Sequence, residues 1–171
     1  MNKLKMIVAF SKNKGIGINN TIPWHIPEDY QYFKYNTSKI KNTGIIMGKK
    51  TWLSLPRKPL PNRENIILSK TLTYSELKKY PNIEIFKSYD QLNIYLAKKK
   101  EPSWVIGGNQ VYQEFIQHPM LDEIYVTYIN KNYECDTFFP KIPNTFKPLF
   151  VGPKKFHEGI IYNNIIFKKS Q

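Results

Sequence analysis

Apolar residues along the chain fall into short unbroken runs and longer periodic stretches, and the two kinds alternate. KMIVAF (residues 5–10) predicts a buried strand, and PEDYQYFKYNTS (27–38) predicts a helix with Pro27 at its first position. TGIIMGKKTWLSL (43–55) reads as a strand running into a helix, followed by strands at NIILS (65–69) and NIEIF (82–86). SYDQLNIYLAKKK (88–100) carries a capping box, Ser88 with Gln91 three residues on, and lysines in its last turn. SWVIGGNQVYQEFI (103–116) is again a strand that breaks at glycines into a helix. DEIYVTYI (122–129), FKPLFV (146–151) and IIYNNIIFKK (160–169) are strand-like with no helix between them. This order predicts an α/β fold whose sheet is largely parallel and ends in an antiparallel C-terminal edge.

Length and composition narrow the picture. A chain of 171 residues, 41% hydrophobic and 15% aromatic, suits one domain with a real core and is short for two. Cys135 is the single cysteine, so an intramolecular disulfide is impossible and a thiolate metal site is disfavoured. The N-terminal MNKLKMIVAF has no small-residue cleavage site and no apolar run of membrane length, which predicts a soluble cytoplasmic protein without a membrane partner. The net charge of +13 raises the question of nucleic acid. Arg57 and Arg63 are the only arginines, however, and the lysines are scattered among Asn, Ile and Tyr. Base and phosphate recognition favours forked guanidiniums gathered on one face, so a solvated basic surface or a small anionic ligand fits better.

Two strand-to-helix junctions have glycine where a phosphate could sit. At IIMGKKTW the chain leaves a strand at Gly48 and starts a helix at Lys49 or Lys50, where free N–H groups, the helix dipole and two ammoniums converge. VIGGNQVY repeats the arrangement with Gly107 and Gly108 and no added charge. Together they suggest a dinucleotide, yet the ordinary Rossmann fingerprint is absent, since GIGINN lacks its third glycine. His25, His118 and His157 never reach the spacing of a helical zinc pair, and neither a nucleophile elbow nor a Walker lysine is present. No metal is therefore expected.

What remains is the pair of acids opening the first helix. Glu28 and Asp29 lie roughly 100° apart around a helix and cannot share a face. Asp29 stands one turn before Phe33 and Glu28 one turn before Tyr32. Phe33 has no polar atom and is the residue expected to be buried, which puts Asp29 on the inner face. Glu28 is expected to be solvated and to complement the helix dipole.

GIGINNTIPWHIPEDYQYFK, IIMGKKTWLSLP, PLPNRENIILS, VIGGNQVYQEFI, YVTYI and CDTFFP, taken in that order, resemble the dihydrofolate reductase family over nearly the whole chain. The resemblance implies one reductase domain over 1–171, without a fused thymidylate synthase, in the family's three-layer fold. That fold has a central eight-stranded, mostly parallel sheet with an antiparallel C-terminal strand, flanked by helices. It also implies NADPH as cofactor, dihydrofolate as substrate, competition by antifolates, and a monomer.

The family's pocket acid falls on Asp29, whose carboxylate would accept both the 2-amino group and the neighbouring ring N–H of a pterin. The resemblance makes Thr127 the hydroxyl that steadies this acid. It places Ile7, Val8, Ala9, Tyr30, Phe33, Ser54, Leu60 and Ile106 around the pterin and benzoyl rings, and Arg63 on the glutamate tail. On the cofactor side it puts Lys49 against the 2′-phosphate, with Ser69 and Lys70 nearby. Thr51 and Gly108 would meet the pyrophosphate. Gly107 and Gly108 would be joined by a cis peptide, and Asn109 stands where the family often has a small residue. Ala9, Ile16, Gly17, Gly48, Lys50, Leu68, Gln110, Val111 and Tyr112 complete the cofactor set. The segment KNKGIGINNTIPW (12–24) would act as a lid, hinged at Gly15 and Gly17 and covering the site with Ile22 and Trp24. The reaction implied is hydride transfer to C6 of dihydrofolate with protonation of N5 through water. A pyrimidine reductase of the same fold, a basic nucleic-acid binder and a silent homologue are the competing readings. The first would not need Asp29, Phe33 and Arg63 together.

Overall fold

A computed structural model describes residues 3–171. The first two residues of the N-terminal stretch lie outside that range. In chain order the elements are β1 (Leu4–Ser11), β2 (Gly15–Gly17), α1 (Pro27–Ser38), β3 (Gly44–Gly48), α2 (Lys49–Ser54), β4 (Glu64–Leu68), α3 (Tyr74–Leu77) and β5 (Ile83–Phe86). There follow α4 (Tyr89–Lys98), β6 (Ser103–Gly107), α5 (Asn109–Phe115), β7 (Leu121–Ile129), β8 (Thr137–Phe138), β9 (Phe146–Val151), β10 (Lys155–His157) and β11 (Ile160–Lys169).

The main sheet runs β10-β11-β7-β1-β6-β3-β4-β5, with β9 also paired to β11. β9 and β10 pair with successive halves of β11, residues 165–169 and 160–162, so together they fill one edge position. The sheet therefore has eight positions, as the resemblance implies. β7, β1, β6, β3, β4 and β5 are parallel neighbours, and β11 runs antiparallel to β7.

Alternation along β1 divides its side chains between two layers. Leu4, Met6, Val8 and Phe10 join a cluster with Leu92 and Leu96 of α4 and Val111, Tyr112 and Phe115 of α5. Ile7 joins the opposite cluster, built from Ile45, Met47, Ile67 and Trp104 of the strands and Trp52 of α2, with Tyr32 and Phe33 of α1 packed against it. Helices thus cover both faces, and the sheet is the middle layer.

Local signals account for some helix starts. Pro27 opens α1, but the N-cap, Ile26, has no side chain that can bond the free N–H groups. On α4 the Ser88 hydroxyl accepts from the Gln91 N–H at 3.2 Å, while the Gln91 side chain reaches Lys87 rather than Ser88, so only half of the expected box forms. The complete box belongs to the short α3, where the Glu76 carboxylate accepts from the Thr73 N–H at 2.7 Å. Of the described residues, no helix is long and apolar enough to cross a membrane, and no group of three His, Cys, Asp or Glu could hold a metal ion.

Candidate active site

The first helix packs Phe33 onto the cluster that contains Ile7 and carries Asp29 over the end of β7. Thr127 of β7 donates its hydroxyl to Asp29 Oδ1 at 2.6 Å. Thr127 pairs in register with Ala9 of β1 and Asn164 of β11, and the Asn164 amide donates to the Thr127 hydroxyl at 3.0 Å. A directed chain therefore runs Asn164 to Thr127 to Asp29, each donor oriented by the one before it. Desolvation pushes the Asp29 carboxyl above the ordinary aspartate range, while the Thr127 bond and the Lys155 ammonium pull it back.

Glu28 is not the free surface acid that the helix phase suggested. Its carboxylate accepts from the Tyr162 hydroxyl in a short bond and from Lys155 Nζ at 3.3 Å, and both partners hold it below the usual glutamate range. Its face is open to solvent, but the hairpin β10–β11 reaches over to it.

Other expected substrate residues take different positions. Ile7, Leu60, Ile106 and Phe33 belong to the α1 face of the sheet, and Ala9 packs beside Trp24 and Tyr162. Val8 does not share this face: strand alternation sends its side chain into the cluster under α4 and α5, so only its backbone can serve the pocket. Tyr30 is 51% exposed, and Ser54 turns its hydroxyl back to the Thr51 carbonyl at 2.8 Å. Arg63 is only 4% exposed. Its Nη1 donates to the Thr37 hydroxyl at 2.8 Å and its Nε to the Pro61 carbonyl at 3.0 Å. Burial lowers its pKa, yet a guanidinium keeps its charge, and no carboxylate among the described residues forms an ion pair with it.

Neighbouring strands β3 and β6 bring the two glycine junctions together, with Met47 paired to Gly107. The Gly107–Gly108 peptide is cis, and Gly107 has φ 126°, a conformation that a side chain would strain. A Cβ on Gly108 would lie 3.4 Å from the Thr51 hydroxyl, so the starts of α2 and α5 face one another. Lys49 Nζ donates to the Thr71 hydroxyl at 2.9 Å, and the Ser69 hydroxyl accepts from the Leu72 and Thr71 N–H groups at 3.1 and 3.3 Å. Lys49, Ser69 and Thr71 therefore form one polar cluster, while Lys50, Lys70 and Gln110 are simply exposed. Val111 and Tyr112 are core side chains, each 5% exposed. The Tyr112 hydroxyl lies 2.8 and 2.9 Å from the carbonyls of Ile7 and Ile106 and shares its one proton between them, tying β1 to β6 where the site opens. Leu68 and Ile16 pack against the same core.

The expected lid is partly built into a second sheet. Gly15 and Gly17 lie in β2, paired with β8, and neither has a positive φ. They are glycines because of close approach: a Cβ on Gly15 would sit 2.4 Å from Cys135 Sγ, and one on Gly17 3.0 Å from the Thr21 carbonyl. In this structure they are packing positions. Trp24 is 7% exposed and packs against Tyr133, whereas Ile22 is 53% exposed.

Sequence reasoning missed Asn164, Tyr162, Lys155, Thr37 and Thr71, the residues that hold Thr127, Glu28, Arg63 and Lys49. The Asn163–Asn164 pair inside an otherwise apolar strand was the one available signal.

A family model described as dihydrofolate reductase matches residues 3–159, a span that includes Asp29, Arg63, both glycine junctions and Thr127. The dihydrofolate reductase of Drosophila melanogaster is 37% identical over 158 residues, covering 86% of this chain and 84% of that protein. That of Heliothis virescens is 34% identical over 180 aligned positions, covering 98% and 97%. That of Rattus norvegicus is 41% identical over 153 residues, covering 81% and 79%. With the sheet order, the acid on the first helix and the paired glycine junctions already in place, these matches show that the chain belongs to the dihydrofolate reductase family.

Proposed function

We propose that Asp29, Thr127, Arg63 and the Lys49 cluster carry out the family's reaction in this chain, reducing 7,8-dihydrofolate to 5,6,7,8-tetrahydrofolate with NADPH. The observation that supports this best is the desolvated Asp29 carboxylate, held at 2.6 Å by a donor that is itself held by Asn164. A carboxylate fixed in this way offers its remaining lone pairs to two adjacent N–H donors, the pattern of a pterin edge. Phe33, Ile7 and Ile106 supply the apolar wall beside it. Arg63, buried and without an acidic partner among the described residues, is suited to the α-carboxylate of the substrate's glutamate tail.

The residues at the glycine junctions also fit a nicotinamide dinucleotide. Gly107 and Gly108 leave room for close backbone approach, and Thr51 stands opposite them. Asn109, at the start of α5, has a buried side-chain oxygen with no hydrogen-bond partner among the described residues, so its amide is free to turn its N–H toward a phosphate. Bound there, the cofactor would supply the hydride received at C6 of the pterin. Lys49, positioned by Thr71, would neutralise a 2′-phosphate, which favours NADPH over NADH. Asp29 grips the pterin by the end remote from N5, so the proton reaches N5 through water while the carboxylate orients and polarises the ring.

Residues 1–171 are read as a single reductase domain that acts on small molecules as a monomer. The test is direct. NADPH absorbance should fall when dihydrofolate is added to the purified protein, and no substrate-dependent loss would reject the assignment.

A further inference from the structure

The helix that carries Asp29 has no cap of its own. Ile26 stands at the N-cap, Pro27 has no N–H, and the acids of the first turn make their bonds to distant strands. Asp29 is held by Thr127. Glu28 is held by two cross-strand neighbours of the β10–β11 hairpin, since Lys155 and Tyr162 pair in register and converge on one carboxylate. Tyr162 is a firm anchor. It is 2% exposed and packs with Trp24, Ile26 and Ile129, so its hydroxyl has little freedom to move.

The same strand reaches both acids. Tyr162 and Asn164 are two residues apart and project from one face of β11. Tyr162 holds Glu28 directly, and Asn164 holds Asp29 through Thr127. One rigid strand therefore fixes two consecutive residues of an otherwise uncapped helix turn. This fixes both where the turn sits and how it is rotated.

We propose that Glu28 is a positioning residue: gripped by Tyr162 and Lys155, it locks the first turn of α1 so that the Asp29 carboxylate meets Thr127 and the substrate in one geometry. The proposal rests on the assignment of Asp29 as the pterin acid. Glu28 acts only through its neighbour and does not touch the substrate.

A double-mutant cycle tests this, with a 2,4-diamino-5-benzylpyrimidine as probe because its protonated ring edge pairs with a carboxylate. Glu28→Ala should weaken the probe roughly three- to tenfold, the span of one ordinary hydrogen bond, and leave NADPH affinity within error. Tyr162→Phe keeps the packed ring and should weaken the probe in the same direction. The Glu28→Ala/Tyr162→Phe double variant should be no worse than Glu28→Ala. Glu28→Gln retains an acceptor for Tyr162 and should recover most of the loss. In the Asp29→Asn background, Glu28→Ala should cost nothing further.

A full Glu28→Ala loss in that background, or an equal loss of NADPH affinity, would overturn the clamp while leaving Asp29's role intact. If Asp29→Asn alone left probe affinity at the wild-type value, the assignment of Asp29 would fall, and the clamp with it. Thermal unfolding of each variant identifies a folding failure. Should Glu28→Ala not fold, Tyr162→Phe in both backgrounds decides the question alone.

Discussion

Replacing Thr127 by Val removes one hydroxyl and almost no volume, so it isolates the bond on which the reading of Asp29 depends. Thr127 is 2% exposed, its bond to Asp29 is 2.6 Å long, and water has little access to replace it. A hydrogen bond to a charged partner contributes about 1.5–3 kcal/mol, which converts to a fall of about 10- to 150-fold in kcat/KM if the bond acts fully in the complex. Two further consequences follow from the surrounding bonds. The Asn164 amide loses its acceptor, so the fold should lose about 1–3 kcal/mol, measurable by urea unfolding. The bond also favours the ionised form of Asp29, so its loss should raise that pKa. If the ionised carboxylate binds the pterin edge, the acidic limb of the kcat/KM profile for dihydrofolate must move to higher pH. Thr127→Ser, which keeps the hydroxyl, should return all three quantities toward wild type. The reasoning fails if Thr127→Val lowers kcat/KM with the acidic limb unmoved, because the hydroxyl would then act by packing alone.

Three other outcomes are expected. Lys49→Glu should narrow or invert the preference for NADPH over NADH, because a like charge would face the 2′-phosphate beside Thr71; an unchanged ratio of kcat/KM for the two cofactors would place the phosphate elsewhere. Arg63→Leu should raise KM for dihydrofolate by the loss of a charge-assisted pair worth roughly 1.5–3 kcal/mol, and should leave NADPH binding alone, since Thr37 keeps its own bond to the Phe33 carbonyl. Equal weakening of both ligands would signal a folding defect instead. Asp29→Asn should destroy activity yet raise the melting temperature at neutral pH. Its folded pKa lies above the ordinary 3.8, so on raising the pH the unfolded chain ionises first. Wild-type stability therefore falls from that point until the folded pKa is passed. The advantage of the Asn variant should grow as the pH rises above 3.8, level off once the folded pKa is passed, and vanish below pH 3.8, which paired calorimetry would show.

The fold was legible where one pattern dominated a segment. FKPLFV and PEDYQYFKYNTS have the bounds of β9 and α1: an unbroken apolar-rich run between turn residues marks the first, and Pro27 at the first helical position marks the start of the second. β2, β8 and β10 were not legible, being two or three residues long and defined by their partners rather than by their own composition. Gly15 shows why. Its local signal is that of a flexible turn, whereas the requirement it meets is room for Cys135, distant in sequence and adjacent in space. The capping boxes show the same limit on a smaller scale: Ser88–Gln91 and Thr73–Glu76 fit one pattern, yet only the second closes fully.

The two acids mark the boundary between what helix phase determines and what it does not. Phase alone places Asp29 on the side of Phe33, because the rotation per residue is fixed by backbone geometry. It can show that Glu28 points elsewhere, but not what waits there. The partners of both acids come from strands formed about a hundred or more residues later, and hydrogen bonds across such separations leave no periodic trace in the sequence. Asp29 and Glu28 differ in role because β11 sends a packed phenol to one and, through Thr127, an amide-backed hydroxyl to the other. The phenol's partner lies in water, where it can anchor the helix. The hydroxyl's partner is the desolvated one, and only there does a carboxylate gain enough from a bound cationic or N–H-rich edge to be worth its cost in stability.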